Sequence, residues 1–208
     1  MMSSPRPWPA RLISTVFHPF LMPLWTLFAL FLSDPILHLH VAAFLYLLVV
    51  LAINTLAPAI SLWMMHKRGI IGDMEIRNRT ERPLPFVVVW AYYLLTYFVI
   101  TTGDQARMIP PVYLSLLLGL IISIFGAILI TRRFKMSMHG MGVGGTLGAL
   151  VATQTLHFHP NWGLDVVLIL LAGAMGWSRI ALGVHSHKEV YLGTLYGFAV
   201  MWLVVMWG

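Results

Sequence analysis

Cysteine is missing from all 208 positions, which excludes disulfides and thiol chemistry and leaves the redox compartment open. Charge is scarce as well. Asp, Glu, Lys and Arg make up 10% of the chain, against about a quarter in a soluble domain. The aspartates are only Asp34, Asp73, Asp104 and Asp165, dispersed over different loops. That dispersal argues against prenyl transferases and alcohol phosphotransferases, which need aspartate clusters to hold magnesium against a diphosphate. A His-Glu-x-x-His metalloprotease signature is lacking. So is an internal repeat of the kind that marks many transporters. The first apolar run is long, holds Pro19 and Pro23, and has no small-residue cleavage pattern, so it is expected to belong to the mature protein. There is no soluble domain, low-complexity tract or long linker.

What is present is apolar. Hydrophobic residues supply 59% of the chain, and the mean hydropathy is +0.84. Such a composition finds its solvent in lipid. A spanning helix needs roughly 20 apolar residues. Seven stretches qualify: 11–33, 41–64, 86–103, 112–131, 140–158, 163–182 and 189–207. The expected fold is therefore all-α, a polytopic transmembrane helical bundle of six or seven spans forming one domain over residues 1–208. Pro19 and Pro23 mark the first stretch as the one to kink or re-enter.

The cations fall unevenly on that frame. Arg6, Arg11, Lys67, Arg68, Arg77, Arg79, Arg82, Arg132, Arg133, Lys135, Arg179 and Lys188 share one side, and only Arg107 lies on the other. The positive-inside rule makes the rich side, which carries the N-terminus, cytoplasmic, in an inner or plasma membrane. Setting aside Arg77, Arg79, Arg82 and Arg179 as possible substrate ligands leaves the asymmetry intact. Arg132, Arg133 and Lys135 read as topology anchors and headgroup contacts. Gly140, Gly144 and Gly148 are four apart, as are Gly193 and Gly197, a spacing that lets helices approach closely in lipid. Trp8, Trp25, Trp63, Trp90, Trp177 and Trp207 mostly fall near span ends, as an interfacial belt would.

Three polar clusters share the cation-rich side. The first runs from Asp73 to Pro83 and holds Arg77, Arg79 and Arg82. The second is Lys135-Met-Ser-Met-His139. The third is Ser178-Arg179, then Gly183-Val-His185 and Glu189. Arginine at a span end is costly near lipid and marks a functional position. Several arginines converging with serine and histidine describe a site for a dianion, because guanidinium groups bind phosphate oxygens bidentately.

Ser178-Arg179, five residues, His185, three residues and Glu189 resemble the third motif, Ser-Arg-x5-His-x3-Asp, of the type 2 phosphatidic acid phosphatase superfamily. Ser137-Met-His139 is similar to its second motif, Pro-Ser-Gly-His. Arg82-Pro83 resembles the close of the first, Lys-x6-Arg-Pro. The resemblance covers roughly residues 65–195. It departs where Glu75 stands for the first motif's lysine, with Arg77 or Arg79 as candidate replacement cations. Met136 and Met138 stand for proline and glycine in the second motif, and Glu189 for aspartate in the third. The resemblance implies a metal-independent, cofactor-free membrane phosphatase. His185 would be the nucleophile, Glu189 its orienting carboxylate and His139 the acid for the leaving alkoxide, with Arg82, Arg179 and Ser137 on the phosphate. Residue spacing supports the pair independently: His185 and Glu189, four apart, would meet on one helical turn. The implied partners are a lipid phosphate substrate (phosphatidic acid, phosphatidylglycerol phosphate or a polyprenyl diphosphate) and membrane lipids, with no nucleic acid. His187, His157, His159, His38 and His40 fit no motif, while His18 and His66 fall on the motif side without an assigned role. The rival reading, prompted by Glu75 and Met138, is a lipid-phosphate binding or transport protein without turnover.

Overall fold

The computed structural model describes residues 7–76 and 78–208, and all regular structure among them is helical. In chain order the α-helices are α1 (Trp8–Val16), α2 (Met22–Ser33), α3 (Pro35–His38), α4 (Val41–Lys67), α5 (Pro83–Thr102), α6 (Pro111–Thr131), α7 (Met138–His157), α8 (Trp162–Ala181) and α9 (His187–Trp207). Helices α4, α5, α6, α8 and α9 are long and apolar enough to cross a membrane. Their outer faces are apolar: Val49, Ile53, Leu56 and Ile60 on α4 are all exposed, at helical spacing. In water such a stripe would be a liability, whereas against lipid it is solvated.

The stretch expected as a first span is broken in two. Helix α1 stops at Val16, and residues 17–21, with Pro19, turn the chain into α2. Pro23 is accommodated in the first turn of α2, where its missing N–H costs nothing. Helix α2 then runs beside α7 in the same direction. The His18 ring meets the His139 ring at 5.5 Å, Thr26 and Thr146 share a 2.7 Å hydroxyl hydrogen bond, and Asp34 pairs with His157.

Helix α7 has the length of a span but a polar, glycine-rich sequence, because its surroundings are protein. Its tightest partner is α9. A Cβ added at Gly144 would overlap the Thr194 carbonyl, one at Gly148 the Phe198 carbonyl, and one at Gly197 the Met141 carbonyl. The glycine ladders expected for close packing thus meet backbone to backbone.

The two ends of the bundle differ. At one end gather α1 and the segments 68–76, 78–82, 132–137 and 182–186, tied together by hydrogen bonds from Arg79 to the Arg133 carbonyl and from Lys135 to the Val184 carbonyl. At the other, Asp34 pairs with His157, Gln154 donates to Asp165, and Arg107 lines a small cleft with His40.

Candidate functional site

The end caps of α8 and α9 put His185 where it is. Gly183 adopts a left-handed conformation (φ 68°) that ends α8. Its N–H donates to the Ile180 carbonyl (2.9 Å) and the Val184 N–H to the Arg179 carbonyl (3.2 Å), which is the Schellman arrangement. Two residues later Ser186 caps α9. Its hydroxyl accepts from the Glu189 N–H (3.4 Å), and the Glu189 carboxylate accepts from the Ser186 N–H (3.3 Å), closing a capping box. His185 sits between the two caps, ahead of α9 rather than within it, as the sequence spacing alone had suggested. The contact with Glu189 forms nonetheless: His185 Nδ1 donates to Glu189 Oε2 at 2.7 Å, leaving Nε2 as the nitrogen the carboxylate does not engage. Burial holds His185 below the ordinary histidine range. The hydrogen bond to Glu189 opposes that shift, while the charges of Arg82, Arg179 and Lys135 add to it. The ring is therefore neutral near pH 7, the state in which an imidazole nitrogen is a nucleophile.

Arg82 is buried (4% exposed) just ahead of α5. Its Nε donates to the Ile76 carbonyl at 2.9 Å and a terminal nitrogen to the Met136 carbonyl at 3.0 Å. These bonds offset part of the several kcal/mol that burying a charge costs. Ile76 itself takes a left-handed backbone (φ 47°), which a β-branched residue rarely adopts. Strain of this kind costs about 1–3 kcal/mol and persists only where the surroundings impose it. Here it turns a carbonyl onto the buried arginine.

Arg179 (3% exposed) donates to the Ser14 hydroxyl, and the neighbouring Ser178 hydroxyl donates to the Ala10 carbonyl at 2.6 Å. His139, in the first turn of α7, has Nε2 at 3.2 Å from the Ser14 carbonyl and 3.3 Å from its hydroxyl. Arg82, His139, Arg179 and His185 thus arrive from three separate segments and line a single cavity of about 530 Å³. Away from them the wall is mainly apolar, with Phe86, Val89, Tyr93, Ile124 and Met201 among its residues. From Arg82 to Tyr93 along α5 the cavity extends about 16 Å at 1.5 Å per residue.

Other expected site residues lie elsewhere. Ser137 is fully buried and does not line the cavity. Its hydroxyl accepts from the Gly140 N–H (3.3 Å) as the cap of α7, and its own N–H donates to the Glu189 carbonyl (3.0 Å). A serine at the N-terminus of a helix has orphan backbone donors to satisfy, and that need takes its hydroxyl. Arg79 is exposed and donates to the Arg133 carbonyl at 2.6 Å, outside the cavity. Glu189 reaches the site only through His185. Arg77 lies outside the described residues. Lys135, expected as a headgroup contact, instead donates to the Val184 carbonyl at 2.9 Å and joins the second cluster to the third.

Among the polar residues lining the cavity, Ser14 and His18 had no role assigned from the sequence, and Glu75, the departure from the first motif, lines it too. Ser14 lies on α1, outside the stretch that carries the motifs. Its signal is amphipathicity: Ala10 and Ser14 are buried while Trp8, Leu12 and Val16, also four apart, are exposed. Glu75 puts a carboxylate in the wall of a site otherwise rich in arginine. Scans of family models, curated proteins and solved structures find no match to the chain.

Proposed function

We propose that the chain is a membrane phosphatase that removes a phosphate or diphosphate from a lipid, a divergent relative of the type 2 phosphatidic acid phosphatases. The observation that carries this reading is one cavity lined by Arg82, Arg179, His139 and His185, with His185 held by Glu189 at 2.7 Å and an apolar chamber behind them. A phosphorylated headgroup fits the first part and its hydrocarbon tail the second. Phosphoryl transfer is catalysed mainly by positioning and by charge stabilisation, both of which two arginines beside a neutral imidazole supply.

In the reaction His185 Nε2 attacks phosphorus, and the bond from phosphorus to the lipid oxygen breaks. His139 gives that oxygen a proton. Water, losing a proton to His139, then cleaves the phosphorus–nitrogen bond and releases inorganic phosphate. Glu189 stabilises the imidazolium that forms, as the third member of a catalytic triad does. Seven passages through the bilayer, with α1 and α2 together as the first, accord with the pairing of α2 along α7. The site end is then cytoplasmic by its cations.

Glu75 in the cavity wall favours a second reading, a lipid-phosphate binding protein without turnover. The two separate in one assay. Detergent-purified protein, with EDTA present, is given phosphatidic acid, phosphatidylglycerol phosphate and a polyprenyl diphosphate. Phosphatase function predicts phosphate release from at least one, abolished by His185→Ala. Binding without release from any of them points to the second reading.

A further inference from the structure

Helix α1 belongs to none of the three polar clusters, yet it is fastened to the third at two points one turn apart. The Ala10 carbonyl accepts a hydrogen bond from the Ser178 hydroxyl at 2.6 Å, and the Ser14 hydroxyl accepts one from Arg179. Both side chains of the Ser178-Arg179 pair thus reach α1. From the same residue, Ser14, two oxygens face His139 Nε2, the carbonyl at 3.2 Å and the hydroxyl at 3.3 Å. A carbonyl oxygen can only accept, so Nε2 carries a ring proton in this arrangement and Nδ1 is the nitrogen left to exchange one. Ser14 is buried (8% exposed) and lines the cavity. Its place on the inner face of an amphipathic helix holds it there, with Trp8, Leu12 and Val16 turned outward.

We propose that Ser14 is a positioning residue for the leaving-group acid: it fixes the ring of His139 against Arg179 so that Nδ1 delivers the proton to the departing lipid oxygen. The inference rests on the phosphatase reading. It assigns α1 to the active site, although the motifs lie elsewhere in the chain. It also assigns Ser178 a docking role, through its hydroxyl on the Ala10 carbonyl.

The test compares wild type with Ser14→Ala and Ser14→Thr on two single-chain substrates of equal length, dodecyl phosphate and dodecanoyl phosphate. The first leaves as an alkoxide and needs a proton; the second leaves as a carboxylate and does not. Ser14→Ala is expected to lower kcat on dodecyl phosphate on the order of tenfold, a fraction of the 10²–10⁴ that general acid catalysis contributes. The loss on dodecanoyl phosphate, which reflects only the removed contact to Arg179, should be several-fold smaller than that on dodecyl phosphate. Threonine, which keeps the hydroxyl, restores kcat. An unchanged kcat in Ser14→Ala, or an equal loss on both substrates, overturns the inference. A thermal unfolding midpoint in detergent shows whether either variant has lost its fold. If Ser14→Ala unfolds, the leaving-group comparison passes to Ser14→Cys, which keeps the volume and weakens the hydrogen bonds. Wild-type protein that releases no phosphate from any lipid overturns the underlying reading instead.

Discussion

At the scale of single residues, several charges in and around the site are committed to backbone carbonyls. Arg82 is bonded to Ile76 and Met136, Arg79 to Arg133, and Lys135 to Val184. The result is a set of loops braced around one imidazole. For His185, burial favours the neutral ring, and Arg82, Arg179 and Lys135 disfavour the cation further, against the pull of Glu189. Neutral imidazole is the attacking form, so activity falls as pH drops through the lowered pKa. The acid limb of kcat/KM is expected below the ordinary histidine value of 6.5. Glu189→Gln removes the influence that raises it, so the limb should move to still lower pH while kcat drops on the order of 10²-fold. A limb that moves upward would contradict this account. Ser137 supplies a second residue-scale prediction. As a helix cap, Ser137→Ala should cost about 1 kcal/mol of stability and leave kcat/KM within about threefold. A hundredfold loss in turnover would return Ser137 to the phosphate.

At the scale of elements, the axis of the fold is the contact between α7 and α9. Gly140, Gly144 and Gly148 face Val190, Thr194 and Phe198, and Gly193 and Gly197 face Ser137 and Met141. This close approach also sets the site, since it brings the Ser137 N–H to the Glu189 carbonyl and hence the second cluster to the third. Gly144→Ala is expected to cost at least the roughly 1–3 kcal/mol of an overpacked core, because its Cβ meets backbone that cannot rotate away. Gly173→Ala on α8 meets open space and should be tolerated. Thermal unfolding of both variants in detergent checks the contrast, and equal midpoints would refute it. The sequence made this interface legible through its four-residue glycine spacing. Helix α1 was not legible as a site element, because nothing in Ser14 or Ala10 states that residues 165 and 168 positions away in the chain will bond to them. Local patterns report an amphipathic helix, whereas long-range partners are chosen by packing.

At the scale of the whole molecule, five of the seven expected stretches form helices long and apolar enough to cross a membrane. The other two depart for physical reasons: α7 is polar and glycine-rich where protein surrounds it, and the first stretch is interrupted. Pro19 breaks the first apolar run, which the composition could not place as one helix or two. Among the motif residues, Arg82, His139, Arg179 and His185, which the resemblance singled out, do converge on the cavity. Ser137 and Arg79 were not separable from them, since capping and loop bracing use the same residue types as phosphate binding. The proposed arrangement in the bilayer predicts opposite sides for the two ends of the bundle. Lacking cysteine, the chain suits single-cysteine labelling: Arg132→Cys and His159→Cys, both at exposed positions, should react with an impermeant maleimide from opposite faces of sealed vesicles. Labelling from one face would contradict the proposed passages. The most direct test of the central claim is to trap the intermediate. Protein mixed with radiolabelled lipid phosphate is quenched within milliseconds into alkali, which preserves phosphohistidine, and the labelled peptide is identified. The account predicts label on His185 in the wild type and none in His185→Ala. Label on another residue, or turnover that survives the substitution, would contradict it.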